Sequence, residues 1–167
     1  MADTLKTAVI TGGAQGIGKC IAMTLHANGY QVFICDADAD AGNETAFAVN
    51  DPDGFRYIES NAADEESVKN AVLEIEKHSW GIDVLVNNAG IVLFKPLESL
   101  SFEDWKMVVD TNLSSVFLNS KYCIPELRKS RGHIVNIAST RAHMSEKNAD
   151  SYAASKGGVV ALTHSMA

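Results

Sequence analysis

Short apolar runs alternate with amphipathic stretches along the whole chain. Runs rich in β-branched and aliphatic side chains predict five strands, at 7–11, 31–35, 55–58, 83–86 and 133–137. Apolar positions with helical spacing predict helices at 17–28, 39–49, 65–77 and 102–127, the last irregular, and from 151 onward. The strands are almost continuously apolar, which is typical of a parallel sheet covered on both faces. Right-handed crossovers between such strands favour a Rossmann-type, doubly wound α/β fold.

The composition indicates one globular domain over residues 1–167, since the length suits a single core and no linker or repeat divides it. The 14 basic and 21 acidic side chains give a net charge of −7. Nucleic acids and anionic membranes bind clusters of basic residues, so this balance disfavours both as partners. The cysteines Cys20, Cys35 and Cys123 include no CxxC pair, and we expect buried, reduced thiols in a cytoplasmic protein. The histidines show no ligand-like spacing, so no metal site is predicted.

A glycine-rich turn, TGGAQGIG at 11–18, separates the first strand from the first helix. Glycine permits positive φ and lets the backbone approach a pyrophosphate closely, and the helix behind it offers free N–H groups. Asp36 ends the second strand, where a carboxylate can accept a hydrogen bond from the adenosine ribose 2′-hydroxyl and repels a 2′-phosphate. The Asp36 carboxylate, with no Arg or Lys nearby to bind a 2′-phosphate, favours NAD over NADP. The alternatives are a tight turn without a ligand and an aspartate that caps the next helix.

A second group of polar residues lies toward the other end of the chain. Tyr152 and Lys156 are four residues apart at the start of a predicted helix and share a face. Ser139 follows the fifth strand, at the sheet edge where open α/β folds bind ligands. A tyrosine can transfer a proton when a nearby ammonium favours its phenolate, and a serine hydroxyl can hold a substrate oxygen. By itself the Tyr-x-x-x-Lys spacing is more often an ordinary surface pair. It is evidence for catalysis only in combination with the other motifs of the chain.

Together these segments resemble the short-chain dehydrogenase/reductase family over nearly the whole chain. The turn at 11–18 is similar to the family's TGxxxGxG, and Asp36 to its NAD-selecting acid. The sequences NNAG at 87–90 and YAASK at 152–156 match its NNAG and YxxxK motifs.

The resemblance implies reversible hydride transfer between NAD and a carbon that bears oxygen, without a metal. It makes Tyr152 the general acid/base, and it makes Lys156 the residue that binds the nicotinamide ribose and supports Tyr152. Ser139 would orient the substrate oxygen, and Asn112 would hold a water that relays protons toward Lys156. The implied cofactor contacts are Gly12, Gln15, Gly16, Ile17, Gly18, Asp36, Asn61, Ala62, Asn88, Ala89, Gly90, Tyr152 and Lys156.

Two asparagines carry separate expectations. Asn61 stands where the family often has an aspartate, and its side-chain oxygen can still accept a hydrogen bond from the adenine amino group. Asn87 is expected to tie the sheet to a helix, which is a structural role.

The loop at 140–150 is expected to line the substrate pocket, with Arg141, Met144, Glu146 and Lys147 as candidate contacts. The alternative is that these are solvated loop residues. A preference for NAD favours oxidation of a sugar, polyol or hydroxy acid, with reduction of a 3-oxoacyl thioester as the second choice.

The resemblance also implies a homodimer or homotetramer built on the long helix and the final helix. The competing functions are a non-catalytic nucleotide-binding or regulatory protein and a sugar-nucleotide epimerase or dehydratase. The chain stops within a predicted helix, before the later strands and substrate-binding segment that are usual in the family. We therefore expect a truncated chain whose isolated polypeptide is inactive.

Overall fold

The computed structural model describes residues 5–144 and 146–167, and its framework is one sheet of five parallel strands. The strands are β1 (Thr7–Thr11), β2 (Gln31–Asp36), β3 (Phe55–Glu59), β4 (Val84–Asn87) and β5 (His133–Asn136). Their spatial order is β3-β2-β1-β4-β5, so the direction of winding reverses between β1 and β4. Every predicted strand is present with small shifts at its ends, and the predicted Rossmann-type fold is confirmed.

Helices connect the strands and cover both faces of the sheet. They are α1 (Gly16–Ala27), α2 (Ala39–Val49), α3 (Glu65–Glu76), α4 (Phe102–Val109), α5 (Ser115–Ser130) and α6 (Asp150–Met166). A π-helical turn, Asp110–Ser114, joins α4 to α5, and it is the irregularity that the sequence predicts in this stretch. Such turns are frequent at functional sites. Here the turn carries Asn112.

Alternating side chains of the central strand build two cores. Val9 belongs to a buried cluster with residues of α3 and α5, and Ile10 to a second cluster that includes Ala22 of α1. Because β1 is buried along its whole length, the loops at its carboxyl end are anchored to a rigid element.

The expected burial is wrong at one cysteine. Cys35 and Cys123 are buried as predicted, and burial raises the pKa of the Cys35 thiol to about 12 and raises that of Cys123 as well. Both thiols are therefore poor nucleophiles. Cys20 is exposed, because α1 packs on the sheet through a stripe that contains Ala22 and lies to one side of Cys20.

The two consecutive glycines of α6 have different surroundings. A Cβ atom on Gly157 would meet no described atom within 4 Å, whereas one on Gly158 would lie 2.6 Å from the Leu113 side chain. We expect Gly157→Ala to raise the free energy of unfolding by about 1 kcal/mol, because alanine has the higher helix propensity. Gly158→Ala, the matched control, should lower it. Urea unfolding followed by circular dichroism measures both variants, and a less stable Gly157→Ala protein would contradict the expectation.

Candidate active site

A groove of about 750 Å³ crosses the carboxyl ends of the strands, and the loops that follow them form its walls together with the start of α6. It brings together the predicted residues Gly12, Gln15, Gly16, Ile17, Asp36, Asn61, Ala62, Asn88, Ala89, Gly90, Ser139, Tyr152 and Lys156. Of the other predicted residues, Gly18, Asn112, Arg141 and Met144 do not line the groove. Gly18 and Asn112 instead support the wall through contacts described below.

The glycine turn has the geometry that an anion site needs. Gly12 and Gly16 have φ values of 62° and 53°, in the left-handed region that favours glycine. A Cβ atom on Gly18 would collide with the Gly12 carbonyl oxygen and the Asn88 side chain. At the N-terminus of α1 no side chain caps the helix, so its first N–H groups remain available to an anion. These observations fit the pyrophosphate of a dinucleotide.

Asn88 and Thr11 fasten the glycine turn to the loop after β4. The Asn88 Nδ2 donates to the carbonyl oxygens of Thr11 and Gly12, at 3.0 and 2.9 Å. The Thr11 Oγ1 accepts the N–H groups of Asn88 and Ala89, at 3.0 and 3.1 Å. Sequence reasoning gave no role to Thr11, although its place as the first residue of the glycine motif could have indicated one.

Asp36 is bonded directly to the glycine turn. Its Oδ2 accepts the Ala14 N–H at 3.0 Å, and its Oδ1 accepts the Asp38 N–H at 3.1 Å. A carboxylate oxygen has a second lone pair, so both oxygens can still accept a ribose hydroxyl. The alternative role, capping the next helix, belongs instead to Asp38, whose side chain accepts the Ala41 N–H.

Asn61 and Ala62 follow β3 at the far end of the groove. The Asn61 Oδ1 accepts the Ala63 N–H at 3.0 Å, and the Asn61 N–H donates to the Ser67 Oγ at 2.9 Å. The loop is thereby held in place, and the Asn61 oxygen keeps one lone pair for the predicted adenine contact.

The residues predicted for proton transfer meet at the start of α6. The Lys156 Nζ lies 5.9 Å from the centre of the Tyr152 ring and donates to the Ile137 carbonyl oxygen at 2.7 Å. Burial lowers the pKa of the Lys156 ammonium below its ordinary value, since a desolvated cation is disfavoured. The Ser139 Oγ accepts the Arg141 N–H at 3.2 Å, which leaves the hydroxyl hydrogen to donate to another oxygen.

Asn112 is fully buried in the π-helical turn. Its Oδ1 accepts the Ile91 N–H at 2.8 Å, and its Nδ2 donates to the Ile91 carbonyl at 2.9 Å and to the Ser155 Oγ at 3.0 Å. Both amide hydrogens are used, so a water held by Asn112 would need its backbone carbonyl. No pattern along the chain indicates a role for Ile91, and Ser155 is only an unassigned position within YAASK.

None of the described residues of the predicted substrate loop, 140–144 and 146–150, is among the residues that line the groove. Arg141 forms an ion pair with Glu146, with 2.5 Å between Nε and Oε2, and Met144 is exposed. Ser145, within the same loop, lies outside the described residues. Asn87 ties the sheet to α5, as predicted, because its Nδ2 donates to the Ser120 Oγ at 3.2 Å.

Neither a candidate metal centre nor a membrane-spanning helix is present in the described part of the chain. No group of three or more His, Cys, Asp or Glu side chains is placed there to hold a metal ion. No helix there has the length and apolar character needed to cross a membrane.

Comparison with known proteins identifies relatives of similar sequence. The chain is 43% identical over 164 residues to an uncharacterized oxidoreductase of Thermotoga maritima, covering 97% of this chain and 64% of that protein. It is 33% identical to a 2-dehydro-3-deoxy-D-gluconate 5-dehydrogenase of Formosa agariphila, with 97% and 62% covered. It is 35% identical to a 3-oxoacyl-[acyl-carrier-protein] reductase of Staphylococcus aureus, with 97% and 67% covered. The chain thus spans about two thirds of the length of these relatives.

The fold is shared with solved structures. An alcohol dehydrogenase from Thermococcus sibiricus, complexed with 5-hydroxy-NADP, superimposes with a TM-score of 0.91 at 27% identity, over 97% of this chain and 70% of that one. The sequence profile of the short chain dehydrogenase family matches residues 6–167. The chain belongs to the short-chain dehydrogenase family.

Proposed function

We propose that this chain provides the NAD site and the proton-transfer residues of an oxidoreductase that moves a hydride between NAD and an alcohol or carbonyl substrate. One observation carries the proposal: a single groove is lined both by the glycine turn with Asp36 and by Ser139, Tyr152 and Lys156. A protein that only binds nucleotides needs the first set and has no use for the second.

The residues have separate tasks in this mechanism. A bound nicotinamide supplies hydride transfer, and the protein orients the reactants and manages the proton. Tyr152 gives a proton to the substrate oxygen during reduction and takes it back during oxidation. Ser139 donates its hydroxyl hydrogen to the same oxygen, since the Arg141 N–H uses only a lone pair of its Oγ and leaves that hydrogen free.

Lys156 is suited to hold a ribose and support Tyr152. An ammonium has three N–H donors, and the Ile137 carbonyl takes one of them. The other two are free to reach the hydroxyls of the nicotinamide ribose. Because Lys156 is largely buried, its charge acts on Tyr152 with less screening than a surface lysine would have.

For the substrate we propose a sugar, polyol or hydroxy acid, with a 3-oxoacyl thioester as the second candidate. The relatives support both, since one carries the name of a sugar-acid dehydrogenase and another that of a 3-oxoacyl reductase. An assay panel of gluconate-type acids, polyols and acetoacetyl thioesters separates the candidates.

We also propose that the protein acts in the cytoplasm as a homodimer or homotetramer. The helical stretch around Asn112 exposes Phe102, Met107 and Phe117, which supports self-association through α4 and α5. Sedimentation analysis measures the oligomeric state.

Direct titration with NADH and NADPH tests the cofactor proposal. Quenching of the two tryptophans and the rise in NADH emission report binding. We expect NADH to bind more tightly than NADPH. Absence of binding by either dinucleotide would overturn the proposed function.

Asp36→Asn tests the origin of that preference. Removing the carboxylate should reduce the preference for NADH over NADPH on the order of 100-fold, because the negative charge of Asp36 would no longer repel a 2′-phosphate. Asp40→Asn is the matched control, since it changes the net charge of the protein by the same amount but lies on α2. An unchanged ratio of dissociation constants in Asp36→Asn would rule out this role.

A further inference from the structure

We propose that Ser155 is a positioning residue that tethers the helix of Tyr152 and Lys156 to the wall of the groove through Asn112. The inference rests on the proposed function, because it gives Ser155 its task in aligning the residues of that reaction.

The hydroxyl of Ser155 connects two partners in a fixed direction. Ser155 is 0% exposed, its Oγ accepts from the Asn112 Nδ2 at 3.0 Å, and it donates to the Tyr152 carbonyl oxygen at 2.7 Å. An amide N–H can only donate, so the hydroxyl hydrogen must point to the carbonyl. The bond to Asn112 therefore links α6 to the π-helical turn, and the bond to Tyr152 closes the link on the catalytic turn.

The other end of the tether is the groove wall itself. The Asn112 amide holds both the N–H and the carbonyl of Ile91, which lines the groove. At the preceding Gly90, a Cβ atom would lie 3.2 Å from the Asn112 Oδ1 and 3.5 Å from the Lys156 Nζ. The wall, the asparagine and the lysine are thus in close contact, and Ser155 fixes the distance between them.

The hydrogen bond between Ser155 and Asn112 helps to orient α6, because this helix starts without a capping side chain. Within the described part of the chain, no capping side chain therefore orients the start of this helix by a hydrogen bond. The bond from Ser155 supplies a fixed point within the turn that carries Tyr152 and Lys156. Proton and hydride transfer depend on the alignment of reacting groups to a fraction of an ångström.

Ser151 provides a matched control on the same helix. It lies one turn earlier than Ser155 and is equally buried, but its hydroxyl has no hydrogen-bond partner among the described residues. Ser151→Ala and Ser155→Ala each remove one buried oxygen from α6. Only Ser155→Ala removes the tether.

Amide hydrogen exchange in the cofactor-free protein tests the tether without any turnover. We expect Ser155→Ala to accelerate exchange about 5-fold at Ile91 and at 153–156, which is the effect of losing one net hydrogen bond. Ser151→Ala should leave these rates unchanged. Equal rates in the two variants would overturn the proposal, and so would a uniform acceleration over the whole chain, which indicates general destabilisation. If Ser155→Ala fails to fold, Asn112→Ala cuts the same tether from its other end and must accelerate exchange at 153–156.

Steady-state kinetics then tests the positioning role. We expect kcat of Ser155→Ala to fall about 10-fold while the KM for NAD stays within about 2-fold, since alignment and not binding is lost. An unchanged kcat would overturn the positioning role. Wild-type protein without dinucleotide binding would overturn the proposed function instead, and the exchange rates would still report the tether separately.

Discussion

Tyr152→Phe should lower kcat about 1000-fold, the middle of the range that one general acid/base contributes. The phenol oxygen is the only atom removed, so the packing of α6 and the bond from Lys156 to the Ile137 carbonyl should be retained. The dissociation constant for NADH should therefore remain within about 2-fold of the wild-type value. Initial rates from NADH absorbance, together with fluorescence titration, measure the two quantities.

Comparing Tyr152→Phe with the wild type needs a wild-type preparation that has measurable turnover. The intact mass of that preparation establishes whether the protein contains more than these 167 residues. Tyr122→Phe is the matched control, because that hydroxyl bonds Glu65 between α5 and α3, away from the groove. Its kcat should equal that of the wild type. A Tyr152→Phe enzyme that retains most of the wild-type turnover would remove Tyr152 from the mechanism.

Gly18→Ala should weaken NADH binding by about 100-fold, which corresponds to the upper end of the roughly 1–3 kcal/mol that overpacking costs. The added methyl group would collide with the Gly12 carbonyl oxygen and with the Asn88 side chain, neither of which can rotate away. Asn88 is held by the carbonyls of Thr11 and Gly12, so its displacement also disturbs the link to β4. Overpacking of this kind also lowers the free energy of unfolding by about 1–3 kcal/mol.

Gly157→Ala is the control for Gly18→Ala, since it is the same substitution at a position without a steric conflict. It should bind NADH as the wild type does. Thermal unfolding shows whether each variant is folded at the assay temperature. A folded Gly18→Ala protein with wild-type affinity would show that binding does not need the close contact of Gly18 with Gly12 and Asn88.

The sequence by itself determined the features that depend on neighbouring residues, namely the strands, the glycine turn and the pairing of Tyr152 with Lys156. The continuous apolar runs and the helical spacing predicted each strand, since a parallel sheet buries both faces of its strands. The glycines at 12 and 16 marked a turn that needs positive φ, which few other residues adopt. Tyr152 and Lys156 could be paired because four residues in a helix return to the same face.

Burial was less predictable where a helix contacts the sheet through a narrow stripe. Cys20 lies off that stripe in α1, and an apolar composition alone did not distinguish its position from that of Ala22. That Asp38 and not Asp36 caps α2 likewise depends on the path of the chain after β2.

Only the tertiary structure decided how the site is held together. Asn112 meets Ile91 at a separation of 21 residues and Ser155 at 43, and Lys156 meets the Ile137 carbonyl at 19. Such bonds join backbone groups and buried amides, which carry no pattern along the chain. They form because the sheet order brings the ends of β1, β4 and β5 side by side, and buried polar groups there must find partners within the fold.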